Sequence, residues 1–328
     1  MLTNHRLPHD KLTEIKFYGI HFKSERKCPI RVWAINIMKN IATFSIVARD
    51  EKTKELGIAV QSKFLAVGSA VSWAKASAGA IATQAMANLD IGELGLQLLQ
   101  KGYSAQQTKD ALIALDADIE HRQFGIVDKA GGAISFTGSK CFAYAGGHAE
   151  DNLACQGNIL VNKATVDAMV STFKLTKGSL ARRLVVALDA AQQAGGDQRG
   201  RQSASLLVVK EKGSYGGYND RYIDLRVDDD PDPIVKLSHL LDLHEMYFQK
   251  TSEQDMLVVD AKLAKKIQHA LKKLGFYKGP ITEVFDDLTK LAFENYCGWE
   301  NFEERINPGN IVDKLVIDYL FNQVEQAD

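Results

Sequence analysis

Strands and helices both come in pairs along this chain, and that order limits the folds open to it. Two apolar runs, Thr43–Ala48 and Leu56–Gln61, flank the charged turn ARDEKTKE, which predicts a hairpin. A further strand is expected at Gly79–Gln84, followed by helices over 91–101 and 105–116. QFGIVD and AISFTG make a second hairpin across AGG, and LACQGNIL is another strand. Helices over 164–175 and 180–193 follow, then the strands SASLLVVK and RYIDLRV and a helix over 234–250. Doubly wound folds alternate strand and helix singly. The ββ…αα…ββ…αα…ββ order instead predicts an α/β (α+β) protein layered on antiparallel hairpins, a four-layer α-β-β-α sandwich.

Local signals set the helix ends. Asp90 with Glu93 reads as a capping box, and the first helix is expected to bury Leu94, Leu98 and Leu99. Ser104 caps the second, with Ala105, Thr108, Ala111, Leu112 and Leu115 inward. Ser179 caps a later helix that Gly195 and Gly196 end.

With 328 residues the chain can hold a full core and a second small domain. A net charge of −1 gives no argument for nucleic acid or for an anionic surface. Its four cysteines, Cys28, Cys141, Cys155 and Cys297, have no CxxC spacing and read as free thiols of a reducing compartment. His121, His148, His239 and His244 form no zinc-like pattern, so no metal and no cofactor is expected. No apolar run reaches the length of a membrane span. The first 37 residues are basic but lack the apolar centre of a secretory signal. A cytoplasmic protein is expected, without membrane or nucleic-acid partners. Residues 1–40 form an N-terminal extension in which FYGIHF and RVWAINI are candidate strands. Either it is a real addition or the chain starts at Met38.

Several strands end in polar or small residues that a plain core does not need. Thr43 and Ser45 lie two apart on one strand face. Lys63 closes the second strand, and Thr83 and Gln84 end the third. Gln156 and Asn158 flank a glycine that permits close backbone approach, so these amides suit carbonyl or oxyanion recognition. In GGDQRGRQS, Asp197, Arg199 and Arg201 either hold a carboxylate or other anion, or stabilise their own turn. Asp220 opens an acidic run through Asp232. That run lacks EF-hand spacing and reads as a solvated loop with arginine partners.

These segments, TFSIVARD through GGYNDRYIDLRVDDDPDP, resemble a family of unknown function, DUF1028, placed in the N-terminal-nucleophile (Ntn) hydrolase-like superfamily. The likeness covers roughly Thr43 to His244. It implies a strand-leading nucleophile, Thr43, with Ser45 as a secondary candidate and Lys63 as electrostatic support. An Ntn nucleophile uses its own α-amine as base. Thr43 is internal here, so this chemistry requires cleavage between Ala42 and Thr43. The expected activity is hydrolysis of an amide in a small polar or anionic substrate; the alternative is a non-catalytic ligand-binding or scaffold protein. The boundaries are 41–248 for this domain and 249–328 for a helical one. LGFYKGPI through FDDLTKLAFENY resembles a three-helix peptidoglycan-binding module, which implies a cell-wall-like glycan or peptide ligand. Its core is expected from Leu271, Leu274, Phe276, Tyr277, Ile281, Phe285, Leu288 and Phe293, with Asp286 and Asp287 at a helix cap. A homodimer is expected, with residues 64–80 and Trp73 at the interface.

Overall fold

The computed structural model describes residues 43–326. FYGIHF and RVWAINI lie outside them. Strands β1 (Thr43–Arg49), β2 (Leu56–Ser62), β7 (Gly146–Glu150), β8 (Leu153–Asn158), β9 (Ser203–Val209) and β10 (Arg221–Val227) form a six-stranded sheet ordered β10-β9-β2-β1-β8-β7. A four-stranded sheet runs β3 (Ser72–Lys75), β4 (Gly79–Ala85), β5 (Arg122–Asp128), β6 (Ala133–Thr137) in that order. The pairings in both are antiparallel. The mixed α/β architecture built on hairpins agrees with the sequence expectation.

Alternation along the strands sorts side chains into layers. On β1, Phe44, Ile46 and Ala48 join a core with helices α3 (Ala164–Leu175), α4 (Leu180–Gln193) and α5 (Pro233–Phe248). Val47 points the other way. With Ile58, Val60, Ala80, Ala82, Val127 and Leu207 it fills the space between the sheets. Beyond the smaller sheet, α1 (Asp90–Gln100) and α2 (Ala105–Leu115) bury Ile91, Leu99 and Leu112 against Ile81, Phe124 and Ile126. β1 and β2 are therefore buried on both faces, which explains their nearly unbroken apolar character.

Several local expectations need correction. No capping box forms at Asp90. That residue begins α1, and its N–H is held by the Asn88 side chain. Nor does Leu94 face the core; it is exposed, while Ile91, Gly92, Gly95 and Leu99 are buried. The glycines set this rotation, because a Cβ at 92 would strike the Trp73 ring and one at 95 would strike Ile81. Leu115, the last residue of α2, is also exposed. The Ser104 cap does form, completed by Gln107 into a capping box. Two strands escape a reading of pattern alone: β3 is only four residues long, and β7, GGHAE, lacks an apolar run.

Residues 256–326 carry a separate core. Helices α6 (Ala261–Lys273), α7 (Asp287–Trp299) and α8 (Lys314–Gln326) pack around Leu271, Tyr277, Phe293, Tyr296, Phe302 and Ile317. A short antiparallel pair, β11 (Met256–Val258) with β12 (Ile311–Asp313), adds to the helices that the sequence suggested. Asp286 caps α7 as expected, but Leu288 is exposed. Arg305 is buried here and bonds to Asp313 Oδ2 at 2.7 Å. Its remaining donors reach Met246 O at 2.5 Å and Glu245 O at 2.8 Å, in the last turn of α5. Cys155 and Cys297 are buried free thiols; burial pushes the Cys297 thiol up to about 12.

Candidate functional site

The apolar filling between the sheets stops abruptly toward the start of β1. Alternation that puts Val47 in that layer also puts Ser45 and Thr43 there. Their cross-strand partners are polar too, apart from Val60 opposite Ser45 on β2. Thr43 lies opposite Ser62 and Asn158, and Ser45 lies opposite Gln156. From the smaller sheet, Gln84 and Gln123 sit opposite each other on β4 and β5. Thr43, Ser45, Ser62, Gln84, Gln123 and Gln156 are fully buried, and Asn158 is 1% exposed.

Burial of so many polar groups requires hydrogen bonding. Ser45 Oγ donates to Gln84 Oε1 at 2.6 Å and accepts from Gln156 Nε2 at 2.7 Å. Gln84 Nε2 donates to Gln123 Oε1 at 2.8 Å and to Thr43 O at 3.2 Å. Asn158 Nδ2 reaches the same Gln123 oxygen at 3.0 Å. Gln123 Nε2 continues to Thr137 Oγ1 at 2.9 Å and Gly157 O at 2.8 Å. Thr43 Oγ1 donates to Ser62 Oγ at 3.2 Å. Room for the Gln156 amide comes from Gly125, where any Cβ would meet it. Backbone strain borders the cluster: Ala85, which ends β4, and Ile159, which follows β8, have φ of 69° and 49°. The left-handed region is unusual for a β-branched residue. Lys54, in the turn between β1 and β2, and Asn152, in the turn between β7 and β8, share it.

Among the sequence candidates, Thr43, Ser45, Gln84, Gln156 and Asn158 thus come together. Gln123 is the hub the sequence did not single out. Its signal is its place opposite Gln84, which becomes visible once strands β4 and β5 are in register. Thr83 goes elsewhere. It follows the opposite face of β4, and its hydroxyl donates to Asn88 O at 3.4 Å.

Lys63, Asp197, Arg199 and Arg201 gather at the same end of the six-stranded sheet, one residue beyond Ser62. The Asp197 carboxylate is buried and accepts Lys63 N–H and Arg199 N–H, each at 2.9 Å. The Arg199 guanidinium adds bonds at 3.2 and 3.0 Å. Lys63 Nζ is exposed and reaches Arg201 O at 3.4 Å, while the Arg201 guanidinium pairs with Asp232. Asp197 and Arg199 therefore stabilise their own turn. Asp220 stands apart. It precedes β10, whose first residue pairs with Val209 at the far end of β9, and it accepts Ala76 N–H at 2.8 Å.

The chemistry available follows from these groups. The inter-sheet network is built from hydroxyls and amides, and amides do not accept protons near neutral pH. A hydroxyl nucleophile here needs a base from outside the network. Among the described residues no group of three or more His, Cys, Asp or Glu could hold a metal ion, and no helix is long and apolar enough to cross a membrane.

Comparison with known proteins gives a family. Residues 247–320 match the model described as "Putative peptidoglycan binding domain". No curated protein matches the chain. The crystal structure of protein SPO2555 from Silicibacter pomeroyi, itself of the DUF1028 family model, is 30% identical with a TM-score of 0.57. The match covers 62% of this chain and 86% of that one. Residues 43–237, carrying every strand of both sheets just described, match the model for a family of unknown function, and the chain therefore belongs to that family, DUF1028.

Proposed function

We propose that residues 41–248 form an Ntn-type amide hydrolase for a small polar or anionic substrate, activated by cleavage between Ala42 and Thr43. The observation that carries this reading is the position of Thr43. It heads β1 where a buried array of hydroxyls and amides replaces the apolar filling between the sheets. Helices on the outer face of each of two facing sheets support the four-layer sandwich that this chemistry uses. Freed, the Thr43 α-amine supplies the base that the network lacks, since such amines titrate at about 7.7–8.0. The Thr43 hydroxyl oxygen attacks the substrate carbonyl, and its proton passes through the α-amine to the departing amine. Water then cleaves the resulting ester. Gln84, Gln156 and Asn158 offer amide donors, Ser45 orients two of them, and Lys63 and Arg201 add positive charge at the rim.

Intact-mass measurement of the purified protein tests this. A chain beginning at Thr43 is expected. A chain that keeps Ile41 and Ala42 overturns the α-amine mechanism. One observation favours the second reading, a non-catalytic ligand-binding protein: Thr43 is fully buried and donates to Ser62.

Residues 249–328 are, in this reading, a module for a cell-wall-like glycan or peptide; failure of the protein to sediment with purified cell walls would reject that role. A cytoplasmic location goes with the hydrolase reading, and fractionation that finds the protein elsewhere removes it. A homodimer through residues 64–80 also belongs to the proposal, tested by light scattering. Trp73 is a poor probe of that contact, because its ring packs on Gly92 within the chain. Leu65, 59% exposed, is the better one: Leu65→Asp should weaken the dimer.

A further inference from the structure

A cleft of about 550 Å³ lies between the loop Gly213–Gly217, the start of β10 and the last turns of α5. β9 separates it from Thr43. Ser203 pairs with Ser62 at one end of that strand and Val209 with Arg221 at the other, about 20 Å apart by strand rise. Tyr215, Tyr222, His244 and Phe248 line the cleft. Their rings follow one another, with centroids 5.6 Å apart for Tyr222 and His244, 5.0 Å for His244 and Phe248, and 6.5 Å for Tyr215 and Phe248. Tyr215 is 78% exposed and Phe248 is 43% exposed, so these rings are not used up by the core. The loop is held in an unusual shape, with φ of 55° at Lys212 and 71° and 74° at Gly216 and Gly217.

One of the cations around the rings is left without an ion pair. Lys210, Lys212 and Arg221 line the cleft against Asp224 and Glu304. Asp224 is shared, since it accepts from both Arg221 and Arg226. Lys210 lies 3.4 Å from Glu55 and 5.4 Å from the Tyr222 ring centroid. Lys212 has no ion-pair partner among the described residues. Concave sites that present exposed rings beside a few fixed charges are the usual form of small-molecule pockets.

We infer that this cleft binds a small ring-bearing carboxylate, the apolar ring face lying against Tyr215 and Phe248 and the carboxylate toward Lys212 and Arg221. Ring faces stack on aromatic side chains, and lysine or arginine holds the anion. An aromatic acid and a sugar acid share this chemistry.

Saturation-transfer NMR on the full chain, with benzoate and glucuronate as probes and benzyl alcohol and glucose as neutral counterparts, tests the inference. Saturation of one or both acids is expected, exceeding that of the matching neutral compound about tenfold in affinity. Benzoate alone points to an aromatic source and glucuronate alone to a sugar source. Lys212→Ala should weaken the acids and spare the neutral compounds, while Tyr215→Ala should weaken both kinds. These positions are exposed, so both variants should fold. Failure of both acids to bind overturns the inference. So does equal binding of the neutral compounds, or binding unchanged in both variants.

Discussion

The space between the two sheets has an apolar end and a polar end, built by the same strands. On β1 and β2 one face reads Val47 with Ile58 and Val60, then Ser45, Thr43 and Ser62. Nothing in the backbone changes between them: both strands run unbroken, and their antiparallel register continues to Thr43–Ser62. The difference is therefore one of side-chain chemistry. At the apolar end any apolar side chain of similar volume and shape serves, because burial is its contribution. At the polar end the groups depend on specific partners, because an unpaired buried amide or hydroxyl costs more than a satisfied one contributes; Gln156 Oε1 is the atom of this cluster left without one.

Four substitutions test that contrast, in order of expected effect. Ile58→Ala removes a fully buried side chain from the apolar end and should cost about 2–5 kcal/mol in urea unfolding. Gln84→Leu keeps volume but strips the acceptor from Ser45 and a donor from Gln123, at about 1–3 kcal/mol. If Gln84→Leu proves the more damaging, the polar end is the structural keystone and the contrast as drawn is wrong. Ala85→Gly should run in the opposite direction. Its φ of 69° suits glycine, so a gain of about 0.5–1 kcal/mol is expected in the same assay; a loss would mean that the left-handed backbone carries no strain.

The smallest effect is a pH dependence behind the polar end. Burial alone would raise the Asp116 carboxyl, but hydrogen bonds from Arg122 and Asn88 outweigh it and hold the group below its ordinary range. A carboxylate depressed in the folded state contributes stability above its unfolded pKa, about 3.9, and that contribution fades as pH falls through the folded value. Asp116→Asn should therefore lower stability at neutral pH and flatten its loss below about pH 4. An acid limb as steep as that of the unmodified protein would remove Asp116 from the account.

Sequence patterns disclosed much of this layout, and the exceptions share a cause. Thr43, Ser45, Gln156 and Asn158 stand out locally, as polar residues at the ends of strong apolar strands. Gln123 does not, because a glutamine opening a strand looks like an ordinary edge residue until Gln84 is placed opposite it. Thr83 stands beside Gln84 in the sequence, yet alternation sends the two to opposite faces. β7 offers almost no apolar signal of its own; it is a strand because β8 pairs with it. Leu94 lost its place on the core face to Gly92 and Gly95, whose role depends on Trp73 and Ile81, distant in sequence. What remained hidden was in each case decided by a partner on another segment.

Arg305 extends that principle to the boundary between the two cores. The final carbonyls of a helix have no partners within it. In α5 those of Glu245 and Met246 are taken by a side chain some 60 positions later. The last turn of that helix is thus tied to the tail as well as to its own cap residue, Gln249. Separating the chain near residue 250 would not divide it at a seam. It would leave the forward half with an open Met246 carbonyl and the rear half with a buried cation that has lost two of its acceptors.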